Sequence, residues 1–271
     1  MVEHSIHNAV VVGPIPTSGT NLTIMHKYLQ ISDQEKIHYL EFGSGESLIL
    51  LPSLCLTSFS YASFGEKLGN NFHVLIPDLY RGHSIYTQNA YQLEDYVEKL
   101  NQFMEKLNIP KVHLIGISLS GIYGSKFAII YPHKLSKFFL ISTTCVPLRM
   151  KNLRIKLFGA FLKLIWLNLW LKSGLQILKL WSKDAGKYIF RHPKQFLNEI
   201  LIATRYDTFT KKKLSISTKL LFATHDEFIP WETYKRMQKV KNLEIELIDD
   251  HHAWFFYRQD ELVGKIYDFF K

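Results

Sequence analysis

Three short stretches carry residues able to do nucleophilic chemistry. The first is Gly116-Ile117-Ser118-Leu119-Ser120-Gly121, a serine set among small residues. It closes an apolar run of strand length, Val112 to Ile117, and opens onto Ile122 to Ile130, which suits a helix. A strand feeding directly into a helix must turn sharply, and Ser118 sits at that turn. Gly116 and Ser120 lack bulk, so the strand and helix backbones can approach closely. The turn pushes the serine oxygen out above the edge of a sheet. The N–H of Leu119 then lies at a helix N-terminus, where partial positive charge favours an anion. A serine hydroxyl is a weak nucleophile at neutral pH and needs an adjacent base. Histidine is the usual one, held in the right tautomer by a carboxylate. His225-Asp226-Glu227 and Asp249-Asp250-His251-His252 offer both residue types, and each follows an apolar run of strand length.

The elements that must position these residues are legible as alternating patterns. Residues 1–20 hold Gly13, Pro14, Pro16 and Gly19 and read as an irregular lead-in. Leu22 to Ile31 and Lys36 to Phe42 are β-like runs separated by polar turn formers, a hairpin signature. Leu48 to Leu51, His73 to Pro77, Val112 to Ile117, Lys137 to Ser142, Lys219 to Thr224 and Leu243 to Ile248 read as further strands. Between Tyr91 and Asn108 the apolar residues Leu93, Tyr96, Val97, Leu100, Phe103, Met104 and Leu107 recur at helical spacing. Trp231 to Lys239 and Asp260 to Phe270 are predicted helices as well. Continuous apolar strands alternating with amphipathic helices imply an α/β fold, a mostly parallel, doubly wound sheet covered on both faces. Ligands in such sheets bind beyond the carboxyl ends of the strands, where every candidate above is placed.

The chain of 271 residues, 47% hydrophobic, is long enough to bury a large core as one domain or one domain with an insertion. Its two cysteines, Cys55 and Cys145, are too few for a disulfide framework and lack zinc-ligand spacing. The first residues do not resemble a secretory signal, and no stretch reaches the ~18 uninterrupted apolar residues of a membrane span. The nearest, Leu157 to Leu171, is broken by Lys163 and Asn168. A cytoplasmic protein is the expectation. The formal net charge is +9, but Pro147 to Lys213 alone holds 15 Lys/Arg and 3 Asp/Glu, a balance of +12 that leaves −3 elsewhere. A charge confined to one segment argues against a nucleic-acid binder as a whole, although that segment suits something anionic.

The serine turn resembles the nucleophile elbow of the α/β-hydrolase fold superfamily, whose usual pattern is Gly-x-Ser-x-Gly. Here Ser120 stands at the last small position. The resemblance covers roughly residues 20–145 and 215–271 and implies a triad in the chain order Ser, Asp, His. Members of the family commonly carry an aspartate followed shortly by an apolar residue and a proline. Asp226-Glu227-Phe228-Ile229-Pro230 fits, with Asp226 ahead of Glu227. The family's histidine lies in the loop after the last strand, and counting back from the final helix favours His252 over His251. Asp249 and Asp250 are too near in sequence for the required geometry. By the same resemblance, the oxyanion is bound by the N–H groups of Leu119 and Leu54. Many relatives have His-Gly just ahead of the latter; this chain has Pro52-Ser53. Asp78 to His83 is similar to the family's Asp-Leu-x-Gly-x-Gly turn, with Gly82 one place late, and supports the fold rather than catalysis.

The resemblance further implies that residues 147–217 form a helical cap inserted after the sixth strand, dividing the core into 1–146 and 218–271. Within it Asn168, Lys172, Gln176, Lys179 and Lys183 fall on one stripe at helical pitch, and Leu, Ile and Trp cover the rest. So wide an apolar face must be buried, either on the main domain around an apolar pocket or partly on an anionic membrane surface. The implied function is a serine esterase acting on an apolar acyl group through Ser118, His252 and Asp226, with no metal or organic cofactor. A carbon–carbon bond hydrolase or a lactonase on the same scaffold is the close alternative. A catalytically silent hydrolase-like binder using its basic apolar cap is the other.

Overall fold

A computed structural model describes residues 9–16, 23–87, 90–148, 159, 162–163, 166, 174–206 and 214–271. Among them nine strands form one sheet: β1 (Ala9–Pro16), β2 (Thr23–Ser32), β3 (Glu35–Phe42), β4 (Ser47–Leu51), β5 (His73–Pro77), β6 (Val112–Ile117), β7 (Leu135–Ile141), β8 (Thr218–Ala223) and β9 (Leu243–Ile248). Their spatial order is β1-β2-β3-β5-β4-β6-β7-β8-β9. Pairings from β1 through β3 to β5 are antiparallel, and those from β5 onward are parallel. The helices are α1 (Ala62–Gly69), α2 (Leu93–Lys106), α3 (Leu119–Ile130), α4 (Gly174–Arg191), α5 (Pro193–Arg205), α6 (Trp231–Met237) and α7 (Gln259–Phe270).

The apolar strand runs are continuous because both faces of the sheet are covered. Alternate residues of one strand enter different cores. Ile49, Leu51, Leu114 and Leu140 join the core beneath α2 and α3. Leu48, Leu50, Ile115, Ile117, Phe139 and Ile141 join the core beneath α1 and α7. The amphipathic stripe of α2 is buried as its spacing predicts, at Leu93, Tyr96, Val97, Leu100, Phe103 and Met104.

One sequence expectation is overturned. Part of the irregular lead-in is strand β1, paired antiparallel to β2 with a register shift between Val12 and Ile15. The shift falls at Gly13-Pro14, and an edge strand tolerates a proline that a central strand would reject. With β1 counted, the strand that precedes residues 147–217 is the seventh of the sheet. At the opposite edge, β9 carries Glu244 and Glu246 on one side, both paired to Lys219 of β8 at 2.9 Å, and Glu246 also to Lys265 of α7.

Between β7 and β8 the described residues are helical in α4 and α5, separated by His192. The predicted stripe from Asn168 to Lys183 lies outside the residues whose side chains are described. No helix among the described residues is long and apolar enough to cross a membrane.

Candidate active site

Ser118 joins β6 to α3 with φ 53° and ψ −123°, a backbone that L-residues rarely adopt and that is held by its surroundings. A Cβ added to Gly116 would lie 2.7 Å from Gly121 Cα and 3.1 Å from its nitrogen, both backbone atoms unable to yield. The small residue at Gly116 is therefore what lets helix and strand meet. Gly116→Ala is expected to destabilise the fold by about 1–3 kcal/mol through overpacking, read as a lower midpoint in urea unfolding.

Ser120, the departure from the Gly-x-Ser-x-Gly pattern, strengthens this turn. Its hydroxyl accepts the Ile117 N–H at 2.9 Å and reaches the carbonyl of Leu51 at 2.7 Å, bridging β4 and the elbow. Thr143 Oγ1, just past β7, donates to the Ser118 carbonyl.

The structure brings together three of the sequence candidates. His252 Nε2 lies 3.0 Å from Ser118 Oγ, and Nδ1 lies 2.7 Å from Asp226 Oδ2. A carboxylate can only accept here, so Nδ1 carries the proton and Nε2 is free to receive one from serine. Asp226 is itself fixed, because its Oδ1 accepts the N–H groups of Phe228 and Ile229 at 2.8 and 2.9 Å. The Phe228 ring meets the imidazole edge-on at 4.8 Å.

Alternatives weighed from the sequence have other partners. Glu227 Oε2 accepts the backbone N–H of His252 at 3.1 Å, and Oε1 pairs with His251 Nδ1 at 2.7 Å. Asp249 pairs with His225 at 2.9 Å, and Asp250 with Arg258 at 2.9 Å.

Burial alone would push His252 toward its neutral form. The charge and hydrogen bond of Asp226, joined by the charge of Glu227, outweigh burial and raise its pKa above the ordinary value. The neutral imidazole is the form able to accept a proton, so a reaction that uses it speeds up as pH climbs through the raised pKa. Glu227→Gln removes one of the raising charges. The acid limb of the pH profile for kcat/KM is expected to move to lower pH, a shift checked by initial rates across the range.

Comparison with known proteins bears on the fold that carries these residues. A family model described as "alpha/beta hydrolase fold" matches residues 46–168. The 2-hydroxy-6-oxo-6-phenylhexa-2,4-dienoate hydrolase of Comamonas testosteroni is 21% identical over 231 residues, 79% of this chain and 76% of that protein. Among solved structures, a putative lipase from Acinetobacter baumannii superposes with a TM-score of 0.71 at 22% identity, covering 91% of this chain and 90% of that one. The enol-lactonase of Burkholderia xenovorans superposes with a TM-score of 0.72 at 18% identity, covering 89% and 98%. The chain has the α/β-hydrolase fold. The similar proteins bear the names of different chemistries, so the choice among those chemistries rests on this chain's own residues.

In this fold the loop after β4 runs beside the elbow, since Leu51 pairs in register with Gly116. Pro52-Ser53 is built into that loop by residues that the sequence reading passed over. The Tyr61 hydroxyl accepts the Ser53 N–H at 3.3 Å and donates to Ser53 Oγ at 2.7 Å. Arg81 Nη1 donates to the carbonyls of Ser53 and Leu56, at 2.6 and 3.2 Å, one on each side of Leu54.

Its Nη2 pairs with Glu199 of α5 at 2.7 Å, with both side chains almost wholly buried. The Tyr96 hydroxyl donates to the same Glu199 oxygen at 2.5 Å. Burial works against the guanidinium charge, and Glu199 outweighs it, so Arg81 stays a cation. The turn that presents Arg81 is anchored by Asp78, which accepts from the Ser58 N–H at 2.6 Å and from His38 Nδ1 at 2.8 Å. A usable signal existed: Glu199 is one of three acids in a segment of 15 bases, which calls for a particular partner.

Proposed function

We propose that this chain is a serine hydrolase that cleaves an ester of an apolar acyl group. The observation that carries the reading is the unbroken row from Asp226 through His252 to Ser118, at 2.7 and 3.0 Å. Ser118 Oγ attacks the ester carbonyl carbon while its proton passes to His252 Nε2. The imidazolium is stabilised by Asp226 across Nδ1–H. The carbonyl oxygen, now an anion, is bound by the N–H groups of Leu119 and Leu54. Leu119 is the first residue of α3, so its N–H has no carbonyl a turn behind it. The tetrahedral adduct collapses, the alcohol leaves with the proton from His252, and an acyl-serine remains. Water then attacks the acyl group, with His252 as base, and the acid departs.

Three features favour a neutral, apolar acyl ester over a charged dienoate. The charges that act on His252 are those of Asp226 and Glu227, both negative. Among the described residues Arg81, beside the Leu54 loop, has its donors engaged by Leu79, Ser53, Leu56 and Glu199. The core near the elbow is apolar, with Leu119, Val146, Leu148 and Ile229 packed in one cluster and Leu54 and Phe228 against it. In this reading residues 147–217 act as the cap over the acyl group.

Nitrophenyl esters of short and medium chain length, assayed beside a 2-hydroxy-6-oxo-dienoate, test the proposal. Ester turnover with labelling of Ser118 by a fluorophosphonate supports it. Turnover of the dienoate alone would make the chain a carbon–carbon hydrolase, and labelling of nothing in folded protein would make it a binder.

A further inference from the structure

The outer faces of α4 and α5 combine two properties that rarely share a surface. On α5, Lys194, Leu197, Leu201 and Arg205 are spaced three and four residues apart and all are exposed, Leu197 at 60%. Such spacing places them on one side of the helix. The opposite side, Gln195, Glu199 and Ile202, is buried against the core. At the end of α4, Lys187, Phe190 and Arg191 are exposed, with Phe190 at 93%. His192 alone separates the two helices, so these residues adjoin the first turn of α5.

What makes the surface uniformly cationic is the use made of its acids. The described stretch 174–206 contains two carboxylates, and both face inward. Asp184 accepts the Thr57 N–H at 2.8 Å and the hydroxyls of Thr57 and Ser60 at 2.7 and 2.6 Å. Glu199 is spent on Arg81 and Tyr96. The outward side is left with lysine and arginine among bare phenylalanine and leucine. A polyanionic protein would meet only the cations, and an RNA could stack a base on Phe190 but gains nothing from the exposed aliphatic side chains of Leu197 and Leu201. A bilayer uses both, taking the apolar side chains into the acyl boundary while the cations rest at the level of the phosphates.

We propose that this face of α4 and α5 docks the protein on anionic lipid bilayers. Docking does not depend on the hydrolase reading, and its test needs no turnover. Purified full-length protein is floated with vesicles of phosphatidylcholine alone and of phosphatidylcholine with phosphatidylglycerol. The expected result is flotation with the mixed vesicles only, weakened at about 1 M salt, where the screening length falls to ~3 Å. Phe190→Ser with Leu197→Ser, and separately Lys187→Glu with Lys194→Glu, should each cut partitioning at least about tenfold. All four positions are exposed, so thermal unfolding should be unaltered and serves as the folding control. Absence of flotation, equal flotation with neutral vesicles, or flotation that survives both pairs of substitutions overturns the proposal. So does loss on charge reversal only, with RNA competing, which would mark a polyanion surface.

Discussion

Replacing Ser118 with alanine is expected to lower kcat for nitrophenyl ester hydrolysis by about 10⁴- to 10⁶-fold, a loss of about 5–8 kcal/mol of transition-state stabilisation. The size follows from the geometry. One oxygen, 3.0 Å from its base, is the only atom in the row able to form the acyl bond. The residual rate expected is the share supplied by the oxyanion donors proposed above, which the substitution leaves in place. Stability should move the other way for a companion variant. The backbone at position 118, φ 53° and ψ −123°, is close to the mirror image of an extended residue, which glycine adopts without strain. Ser118→Gly should therefore raise the midpoint of thermal unfolding while abolishing turnover. Ser118→Ala keeps a Cβ on the same backbone and should leave the midpoint close to that of the parent, so the difference between the two variants measures the strain held at the elbow. Full turnover by Ser118→Ala would end the assignment.

Arg81→Met should be the most damaging change away from the row itself. It leaves Glu199 buried without its cation and frees the carbonyls of Ser53 and Leu56, at a cost of about 3–5 kcal/mol in urea unfolding. Adding Glu199→Met removes the stranded charge, and the double variant should recover part of that loss. The cycle thereby separates the price of an unpaired carboxylate from the worth of the pair. Catalysis supplies a second readout. If Arg81 fixes the turn that carries the Leu54 N–H, the double variant, though folded, should turn over esters about 10²-fold more slowly, mostly in kcat. Unchanged kcat in a folded double variant would leave Arg81 a purely structural residue.

The convergence of Ser118, Asp226 and His252 was legible because each follows a strand whose apolar run is unbroken, and the carboxyl ends of parallel strands share one edge. The parallel sheet was legible for the same reason. What escaped was set by contacts distant in sequence. Arg81 reads as an ordinary turn cation, and only the fold reveals that Glu199, 118 residues away, comes to meet it. Strand β1 escaped because its glycine and prolines are turn formers in isolation, and their tolerance at a sheet edge depends on where the strand lies. Pro52-Ser53 stands where many relatives have His-Gly, and the residues that hold its loop, Tyr61 and Arg81, are separate from it in the sequence.

The last strand carries a consequence for how these molecules meet one another. Among the described residues β9 ends the sheet, and Glu244 and Glu246 set two carboxylates along that edge strand, where a second copy adding its own β9 would bring like charges together. Burial tends to discharge Glu246, while Lys265 and Lys219 prevail and keep it ionised below the pH at which a free glutamate would be neutral. Charge held on an edge strand disfavours its pairing with another copy of itself.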